Sequence, residues 1–344
     1  MDEVVLSVGG TRFEGWESVA ISRSMEQGPH DFELALTNTW RSLRHREIRA
    51  GESVRLSIGN DVVISGDIDD LQPDYDAERV QLAVAGRSRL ADLVDCSTVG
   101  KSFSRQSLDA IARAICEPFG IEVVVSIDAG AAFANVVLDE GQSPWEFLDY
   151  LARVRGVRLM GDESGRLIIT GPGNRLAARP LVLGDNIVSG RGQFTFRSRF
   201  AEYLVVSRNG DTYLGDAEST TSIAGKAADM GVRRYRPTVI VADDDCTPAE
   251  CQAQAEWQRN TAWGRGQSVV YTVRGWREQP GGQVWTPNTR VMVDDPYMGV
   301  KEERLLVEVR LLLDDQGQRS ELMVMPREAM LRKPLPEPKS EDEV

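Results

Sequence analysis

Histidines are the first residues to inspect for chemistry, because an imidazole is the general base of many hydrolytic sites. The chain contains two, His30 and His45. His30 ends the segment 26–30, whose glycine and proline predict a hairpin tip, and His45 lies in a basic run at residues 41–46, so both are expected to be exposed. No G-x-S-x-G, H-E-x-x-H or Walker motif occurs, which removes the common signatures of hydrolases, zinc proteases and nucleotide-binding proteins.

Paired carboxylates are the remaining candidates for catalysis, since two of them can cleave a glycosidic bond. The closest groups are Asp67, Asp69 and Asp70 in one segment and Asp139 and Glu140 in another. Because the chain has 53 acidic residues, such groups occur by chance and identify no site. The sequence therefore predicts that the protein is not an enzyme, and a cell-wall glycosidase is the alternative.

No metal or cofactor site is predicted from the sequence. Cys246 and Cys251 are the only close pair, and they have neither a second pair nor a histidine nearby, as a zinc site would require. Together with Cys96 and Cys116 they are expected to be buried free thiols. Three aspartates at residues 243–245 precede a predicted helix, where negative charge is favourable, and no spaced calcium loop follows them.

Two tryptophans form the most distinctive local pattern in the chain. Trp276 and Trp285 flank a glycine-rich turn, and Pro287 and Asn288 follow directly. One interpretation is a platform on which sugars stack, which would make this a carbohydrate-binding module. The preferred interpretation is a tight corner between two strands, in which the indoles are buried.

Composition excludes several classes of protein. The 344 residues carry a net charge of −13, which argues against binding nucleic acid by neutralising phosphates. Solubility explains that charge, and so does a wall past which DNA moves without adhering. No run of about 18 apolar residues predicts a membrane span, and the first 15 residues lack the features of a signal peptide, so the chain is expected to stay in a cytoplasm.

The first predicted domain, residues 1–95, has the alternation of short β-strands. Val54, Leu56 and Ile58 share one face of a strand before a Gly-Asn-Asp turn, and another turn is predicted around Pro73. Strands at this spacing, without helices between them, predict a small antiparallel barrel or sandwich.

An α/β insert is predicted at residues 96–175. Ser88 and Ser107 are predicted to cap short helices, and the segment Ser143–Glu146 is a capping box with proline at the first helical position. The glycine- and proline-rich segment 171–174 is expected to be the hinge that leaves the insert.

A second strand-rich domain is predicted at residues 176–332. It includes a polar loop at residues 207–231 and a helix at about 248–263. The proline-rich and charged tail at residues 333–344 is expected to be disordered. The predicted fold class is thus α+β and mainly β, with two antiparallel β-domains flanking and interleaved with a smaller α/β insert.

The longest strand is predicted at residues 304–313. Every second residue from Leu305 to Leu313 is apolar and is expected to face the core. Leu306 and Leu312 then lie on the opposite face beside charged residues, which predicts an interface with a neighbouring subunit. The alternative is a central strand that is buried within the fold itself.

Short motifs in a particular order resemble hub proteins of Mu-like contractile-tailed phages. No single motif is decisive; the order and spacing carry the resemblance, which extends from about residue 4 to residue 330. The motifs are Phe13–Trp16, Ser22–Glu26, Phe32–Leu34, Ala85–Arg87, Ala91–Cys96, Arg234–Pro237, Gly275–Trp276, Gly282–Asn288 and Pro326–Glu328.

The resemblance implies a structural role. Such hubs are homotrimers in which each subunit carries two domains similar to the tail-tube protein, here as antiparallel β-barrels. Three subunits would form a pseudo-six-fold ring that joins the six-fold tube to the three-fold spike and lets genome DNA pass. The implied partners are other copies of the chain, the central spike, the tail tube and the baseplate wedges, and the implied location is the virion after assembly in the bacterial host cytoplasm. A tail-associated glycosidase and a carbohydrate-binding module remain the alternatives.

Overall fold

The computed structural model of the chain describes residues 2–38, 48–207, 222–242 and 248–331. Strands make up 47% and helices 16%, so the fold is α+β and mainly β, as the sequence predicts. The strands are β1 Val4–Val8, β2 Thr11–Phe13, β3 Ser18–Ser24, β4 Asp31–Asn38, β5 Ser53–Ile58, β6 Asp61–Tyr75, β7 Val80–Ser88, β8 Lys101–Gln106, β9 Val123–Val125, β10 Phe133–Leu138, β11 Arg158–Gly161, β12 Leu167–Thr170, β13 Leu181–Val182, β14 Ile187–Phe194, β15 Glu202–Ser207, β16 Ser222–Ala228, β17 Pro237–Val241, β18 Gln267–Arg274, β19 Thr289–Asp295, β20 Val300–Leu313 and β21 Arg319–Met325. The helices are α1 Ala91–Asp95, α2 Leu108–Cys116, α3 Pro144–Val154 and α4 Pro248–Arg265, with 3₁₀ turns at Glu117–Phe119 and Arg327–Met330.

Several sequence predictions fall outside the described residues. They are the basic run that contains His45, the three aspartates with Cys246, and the tail at residues 333–344. Most of the predicted loop at residues 207–231 is also outside, but its later part contains β16, so a loop throughout was wrong. None of the described helices is both long and apolar enough to cross a lipid bilayer.

Most of the strands belong to one large sheet. Its order is β14-β18-β21-β20-β3-β4-β7-β6-β5-β1-β2, and β19 pairs with β20 and β13 beside this path. Among the described residues no pairing joins the two ends, so the predicted closed barrels are not confirmed. Strands from both ends of the chain bury their apolar side chains in one continuous core, which includes Leu6, Phe32, Tyr271 and Leu311. Burying this core is the main force that holds the sheet together.

The order of strands in the amino-terminal part recurs in the carboxyl-terminal part. The first set runs β3-β4-β7-β6-β5-β1 across the sheet, and the second runs β14-β18-β21-β20-β19-β13. Chain order matches as well, because β1, β3, β4, β5, β6 and β7 correspond in turn to β13, β14, β18, β19, β20 and β21. We call these two sets unit 1 and unit 2.

A β-bulge lies at the equivalent place in both units. The register shifts between Ile68 and Asp70 where β6 pairs with β7, and between Leu306 and Glu308 where β20 pairs with β21. A bulge inserts one residue and bends the strand, so it fixes the register on either side. The shared bulge therefore aligns the two units residue by residue along these strands.

The two units also differ in strand direction and in an insertion. β1 is antiparallel to β5, whereas the two-residue strand β13 is parallel to β19. In addition, unit 2 carries an insertion between β14 and β18, made of the sheet β16-β15-β17 and helix α4, which share a small core. Unit 1 has only the short turn at residues 25–30 in that place.

The α/β insert has its own core, built from α2, α3 and the strands β8 to β12. As predicted, the Ser143 hydroxyl caps α3 by accepting a hydrogen bond from the Glu146 amide at 3.1 Å. Ser107 precedes α2, but its hydroxyl bonds to Asp109 and not to the helix backbone. Ser88 caps no helix, since α1 begins after Leu90, so that prediction was wrong.

Candidate functional site

His30 is buried, so the prediction of an exposed histidine was wrong. Its ring Nε2 lies 3.0 Å from the carbonyl oxygen of Gly161, and its backbone amide donates to the Ser88 hydroxyl at 3.0 Å. Burial, and then the neighbouring Arg23 guanidinium, lower the pKa of His30 to about 3. The imidazole is therefore neutral at neutral pH and links the turn after β3 to the α/β insert.

The acidic residues considered for catalysis lie on separate sheets. Asp69 binds the Arg87 guanidinium at 2.7 Å, and Arg87 also binds Asp95 at 2.6 Å. Asp67 accepts a hydrogen bond from the Ser53 hydroxyl. Asp139 and Glu140 instead follow β10 in the α/β insert. Within the first group, a surface ion pair accounts for the contact of Asp69, and a hydrogen bond to a serine accounts for that of Asp67.

The described cysteines form no metal site. No group of three or more metal-binding side chains occurs within the described ranges. Cys116 is a buried free thiol, and burial raises its pKa to about 12. Cys251 is also buried. Cys96 is exposed, so the prediction that it is buried was wrong.

Both indoles of the tryptophan motif are buried, with 1% of each residue exposed. Trp276 donates from Nε1 to the Leu312 carbonyl oxygen at 3.1 Å, and the Trp285 amide donates to the Trp276 carbonyl oxygen. A sugar ring cannot stack on an indole whose faces are covered by protein. The carbohydrate-binding hypothesis therefore loses the two residues on which it depended.

Asn288 connects the same corner to the α/β insert. Its backbone has a φ of 62°, in the left-handed region that asparagine tolerates better than most residues. Its side-chain oxygen accepts from the Gly173 amide at 2.6 Å, and its side-chain nitrogen donates to the Gly171 carbonyl oxygen at 3.0 Å. Pro287, just before it, brings the chain into this turn. The motif thus fixes the predicted hinge at residues 171–174 against β19.

Leu306 faces the core and not the outside of β20. It is fully buried in the main core together with Val309, while Leu305 and Val307 pack in a separate small cluster. The bulge at Val307 reverses the alternation, which is why the predicted face was wrong at this residue. Leu312, beyond the bulge, is half-buried and lies on the face predicted for it.

Eight consecutive strands, β14-β18-β21-β20-β3-β4-β7-β6, form a continuous run that we call the arc. One face of the arc covers the main core, and the opposite, outer face carries small and charged side chains. In unit 1 small residues line a shallow depression of about 230 Å³, namely Ser18, Ala20, Ala35, Ala83 and Ala85. In unit 2 the outer face is bulkier and charged, and Arg310 binds Glu321 across β20 and β21 at 3.0 Å.

Acidic groups crowd the middle of this outer face. Burial, and then the neighbouring Glu33, raise the pKa of Asp31 on β4. Burial also raises the pKa of Glu308 on β20, and the charge of Asp31 adds to the effect although Arg310 opposes it. Keeping either carboxylate charged in the folded chain therefore costs stability.

Removing these charges should stabilise the fold at neutral pH. A carboxyl whose pKa is raised by folding contributes stability below its ordinary pKa, near 4, and loses that contribution as the pH rises through the folded value. Asp31→Asn and Glu308→Gln should each raise the free energy of unfolding at pH 7 by about 0.5 kcal/mol and have no effect near pH 3. Urea unfolding at both pH values measures this.

Glu321→Gln is the matched control on the same face. It removes the partner of Arg310, so it should destabilise slightly at pH 7. If Asp31→Asn and Glu308→Gln destabilise to the same extent, the two carboxylates are not repelled by their surroundings.

The sequence is similar to that of a phage baseplate protein along almost its whole length. Over 341 residues the chain is 33% identical to the baseplate hub protein gp44 of Escherichia phage Mu, covering 95% of this chain and 89% of that protein. The chain belongs to the family of Mu baseplate hub proteins. It is therefore a structural component of a phage tail baseplate, as the resemblance implied.

Family models match this hub protein in three segments. Residues 3–88 match the N-terminal domain of the Mu phage baseplate assembly protein GpP-like family. Residues 90–171 match the second domain of gp44-like baseplate hub proteins, and residues 247–333 match the fourth domain of the Mu baseplate assembly protein GpP.

Solved structures of tail proteins share the fold. The 43 kDa tail protein of prophage MuSo2 from Shewanella oneidensis is 34% identical, with a TM-score of 0.85 over 97% of this chain and all of that one. A tail protein from Neisseria meningitidis is 21% identical, with a TM-score of 0.81 over 97% and 99% of the two chains. The E. coli type VI secretion component c3393 is 10% identical, with a TM-score of 0.61 over 96% and 80%. The last two similarities concern the fold alone.

Proposed function

We propose that this hub protein works as a homotrimer and catalyses no reaction. Three copies would form a ring of six similar units that joins the six-fold tail tube to the three-fold spike. Its partners would be other copies of the chain, the central spike protein, the tail-tube protein and the baseplate wedges. It would be assembled in the host cytoplasm and stay in the virion.

The observation that carries this proposal is the repeated strand order of unit 1 and unit 2. A ring can adapt six-fold to three-fold symmetry if each subunit supplies two equivalent parts, because three subunits then present six. The shared bulge in β6 and β20 supports the equivalence, since it aligns the two units in register.

Three modules follow from this proposal. Residues 1–95 would be the first tube-like module, residues 96–175 the α/β insert, and residues 176–332 the second tube-like module. The insert would lie outside the ring and contact other baseplate proteins. Its separate core supports treating it as a module of its own.

The outer face of the arc is the surface that would line the channel. Its unit 1 part carries the acids Asp31, Glu33 and Asp70, and in unit 2 Arg310 and Arg319 are held by the neighbouring carboxylates of Glu321 and Asp314. Acids without a cationic partner repel phosphates, and each of these two arginines forms a neutral pair with its carboxylate, which weakens its attraction for phosphate. Such a wall would let genome DNA pass without specific binding.

The mass of the assembly tests the proposal. The purified chain, alone and mixed with the spike protein of the same tail, would be measured by light scattering and imaged by negative-stain electron microscopy. We expect three copies of the chain around a central hole wide enough for duplex DNA. Because a spike can stabilise a weak ring, trimers that appear only in the mixture also support the proposal. A monomer that persists beside the spike would overturn it.

A further inference from the structure

Among the described strands, none pairs with the outer edge of β6 along its second half. Residues 61–67 pair with β5 on one side and the strand pairs with β7 on the other, but no described strand pairs with residues 70–74 on the β5 side. Asp70, Gln72 and Asp74 are exposed there. Backbone amides and carbonyl groups at such an edge are available to another strand.

The strand β14 is the other open end of the arc. It pairs with β18 on one side, and its second side makes only an isolated bridge at Ile187 with Leu183. Most of its residues are exposed, and half of the surface of Phe194 is accessible. This strand is the unit 2 equivalent of β3.

Within the chain, the equivalent of the open β6 edge is occupied. Past its bulge, β20 pairs with β3, so that Leu312 lies opposite Ala20 and Arg310 lies opposite Ser22. This contact joins unit 2 to unit 1. Unit 1 has the same edge at β6, and a second copy of the chain has the equivalent strand, β14, to fill it.

The residue pairing between β20 and β3 within the chain predicts the pairing between β6 and β14 of two copies. When β6 and β20 are aligned at their bulges, Asp74 is the equivalent of Leu312. When β3 and β14 are aligned through their pairing with β4 and β18, Arg191 is the equivalent of Ala20. We infer that β6 of one copy pairs antiparallel with β14 of the next copy, with Asp74 opposite Arg191 of that copy. This inference rests on the proposed ring.

Side-chain chemistry fits this register. Neither Asp74 nor Arg191 forms an ion pair or side-chain hydrogen bond with any other described residue, and the two would meet on the outer face of the arc. In the same register Gln72 lies opposite Gln193, where two amides can bond. On the core side, partly buried Leu71 lies opposite Phe194 and covers its exposed ring. Opposite charge and matched polarity across the ladder favour one register over others.

Pro73 removes one hydrogen-bond donor from this edge. The amide of Met25 donates to the carbonyl oxygen of Val307. In an antiparallel ladder every second opposed pair is hydrogen-bonded, so the backbone N–H of Leu311 also points toward β3. Pro73 is the equivalent of Leu311, and proline has no N–H to donate. The missing donor weakens pairing with any strand at this position, the neighbouring copy included, while the backbone of Leu71 can still bond there.

Disulfide trapping tests the register. In a Cys96→Ser background, which removes an exposed thiol, Asp74→Cys and Arg191→Cys in one chain should cross-link neighbouring copies. Opposed residues in a non-hydrogen-bonded pair have Cα atoms about 4.5 Å apart, within disulfide range. We expect covalent trimers on a non-reducing gel, and only dimers when the two single variants are mixed.

Two control variants accompany this experiment. Ala20→Cys with Leu312→Cys probes the equivalent contact inside one chain and should give an internal disulfide without any oligomer. Asp70→Cys with Arg191→Cys is four residues out of register, about 13 Å, and should give no cross-link.

The outcomes separate this inference from the proposed function, because the mass of the same sample is measured first. Trimers that form without the Asp74–Arg191 cross-link would overturn the register and leave the hub role intact. No trimer even with the spike protein would overturn both. As a second readout, Asp74→Arg or Arg191→Asp should weaken trimer formation about 10-fold, and combining them should restore it to within about 3-fold.

Discussion

Leu306→Asp should prevent the chain from folding, whereas Leu312→Asp should leave a folded protein. Leu306 is fully buried in the main core, where truncating a leucine to alanine costs about 2–5 kcal/mol. A buried carboxylate adds several kcal/mol more. Together these costs are comparable to the whole stability of a typical domain, about 5–15 kcal/mol.

Leu312 is the matched control on the same strand. It is half-buried on the outer face of the arc, opposite Arg319 on β21, so an aspartate there remains solvated and gains an opposite charge. Circular dichroism, thermal unfolding and solution mass measure both variants. Leu312→Asp should fold and also assemble, because in the proposed ring this residue would face the channel and not another copy. A soluble, native-like Leu306→Asp protein would contradict the orientation of β20 described above.

Asp229→Ala should unfold the insertion of unit 2 and leave the large sheet intact. The Asp229 carboxylate binds Arg199 through two hydrogen bonds of 2.9 and 3.0 Å, and both side chains are 8% exposed. Removing one partner of such a pair leaves a buried charge without compensation and costs about 3–5 kcal/mol. The same carboxylate accepts from the Gly231 amide, so the turn after β16 loses a contact too.

Amide hydrogen exchange shows which elements are destabilised by Asp229→Ala. We expect faster exchange in β15, β16, β17 and α4, with little change in the arc. Glu202→Gln is the control, since it breaks the exposed pair of Glu202 with Lys226 in the same sheet and should cost less than about 1 kcal/mol. If the two substitutions had equal effects, the buried Arg199–Asp229 pair would contribute no more to stability than the exposed Lys226–Glu202 pair.

Local sequence patterns were sufficient for the hairpins and the main helices. Alternating Val54, Leu56 and Ile58 form β5, which turns at the predicted place into β6. The capping box at Ser143 starts α3, and the predicted helix at about residues 248–263 is α4. These patterns are reliable because a strand face and a helix cap depend on residues only two to four positions apart.

The sequence predictions were wrong where a segment that is distant in the chain determines the conformation or burial of a residue. The predicted turn around Pro73 is instead the extended end of β6, held by β7. His30 ends a turn, as predicted, but the α/β insert covers it. For the β6 edge a signal was present, because a proline inside an otherwise extended segment is typical of an edge strand.

The sequence by itself determined that the protein is mainly β, where its main helices α3 and α4 start, and, through the order of its motifs, the family to which it belongs. Only the tertiary structure decided which face of β20 holds Leu306, that β3 pairs with a strand almost 300 residues later, and that two halves without similar sequences share one strand order. The physical reason is that side-chain alternation is local, whereas bulges and strand partners are chosen by long-range pairing and by the burial of a shared core. The exposed edges of β6 and β14 follow from that pairing.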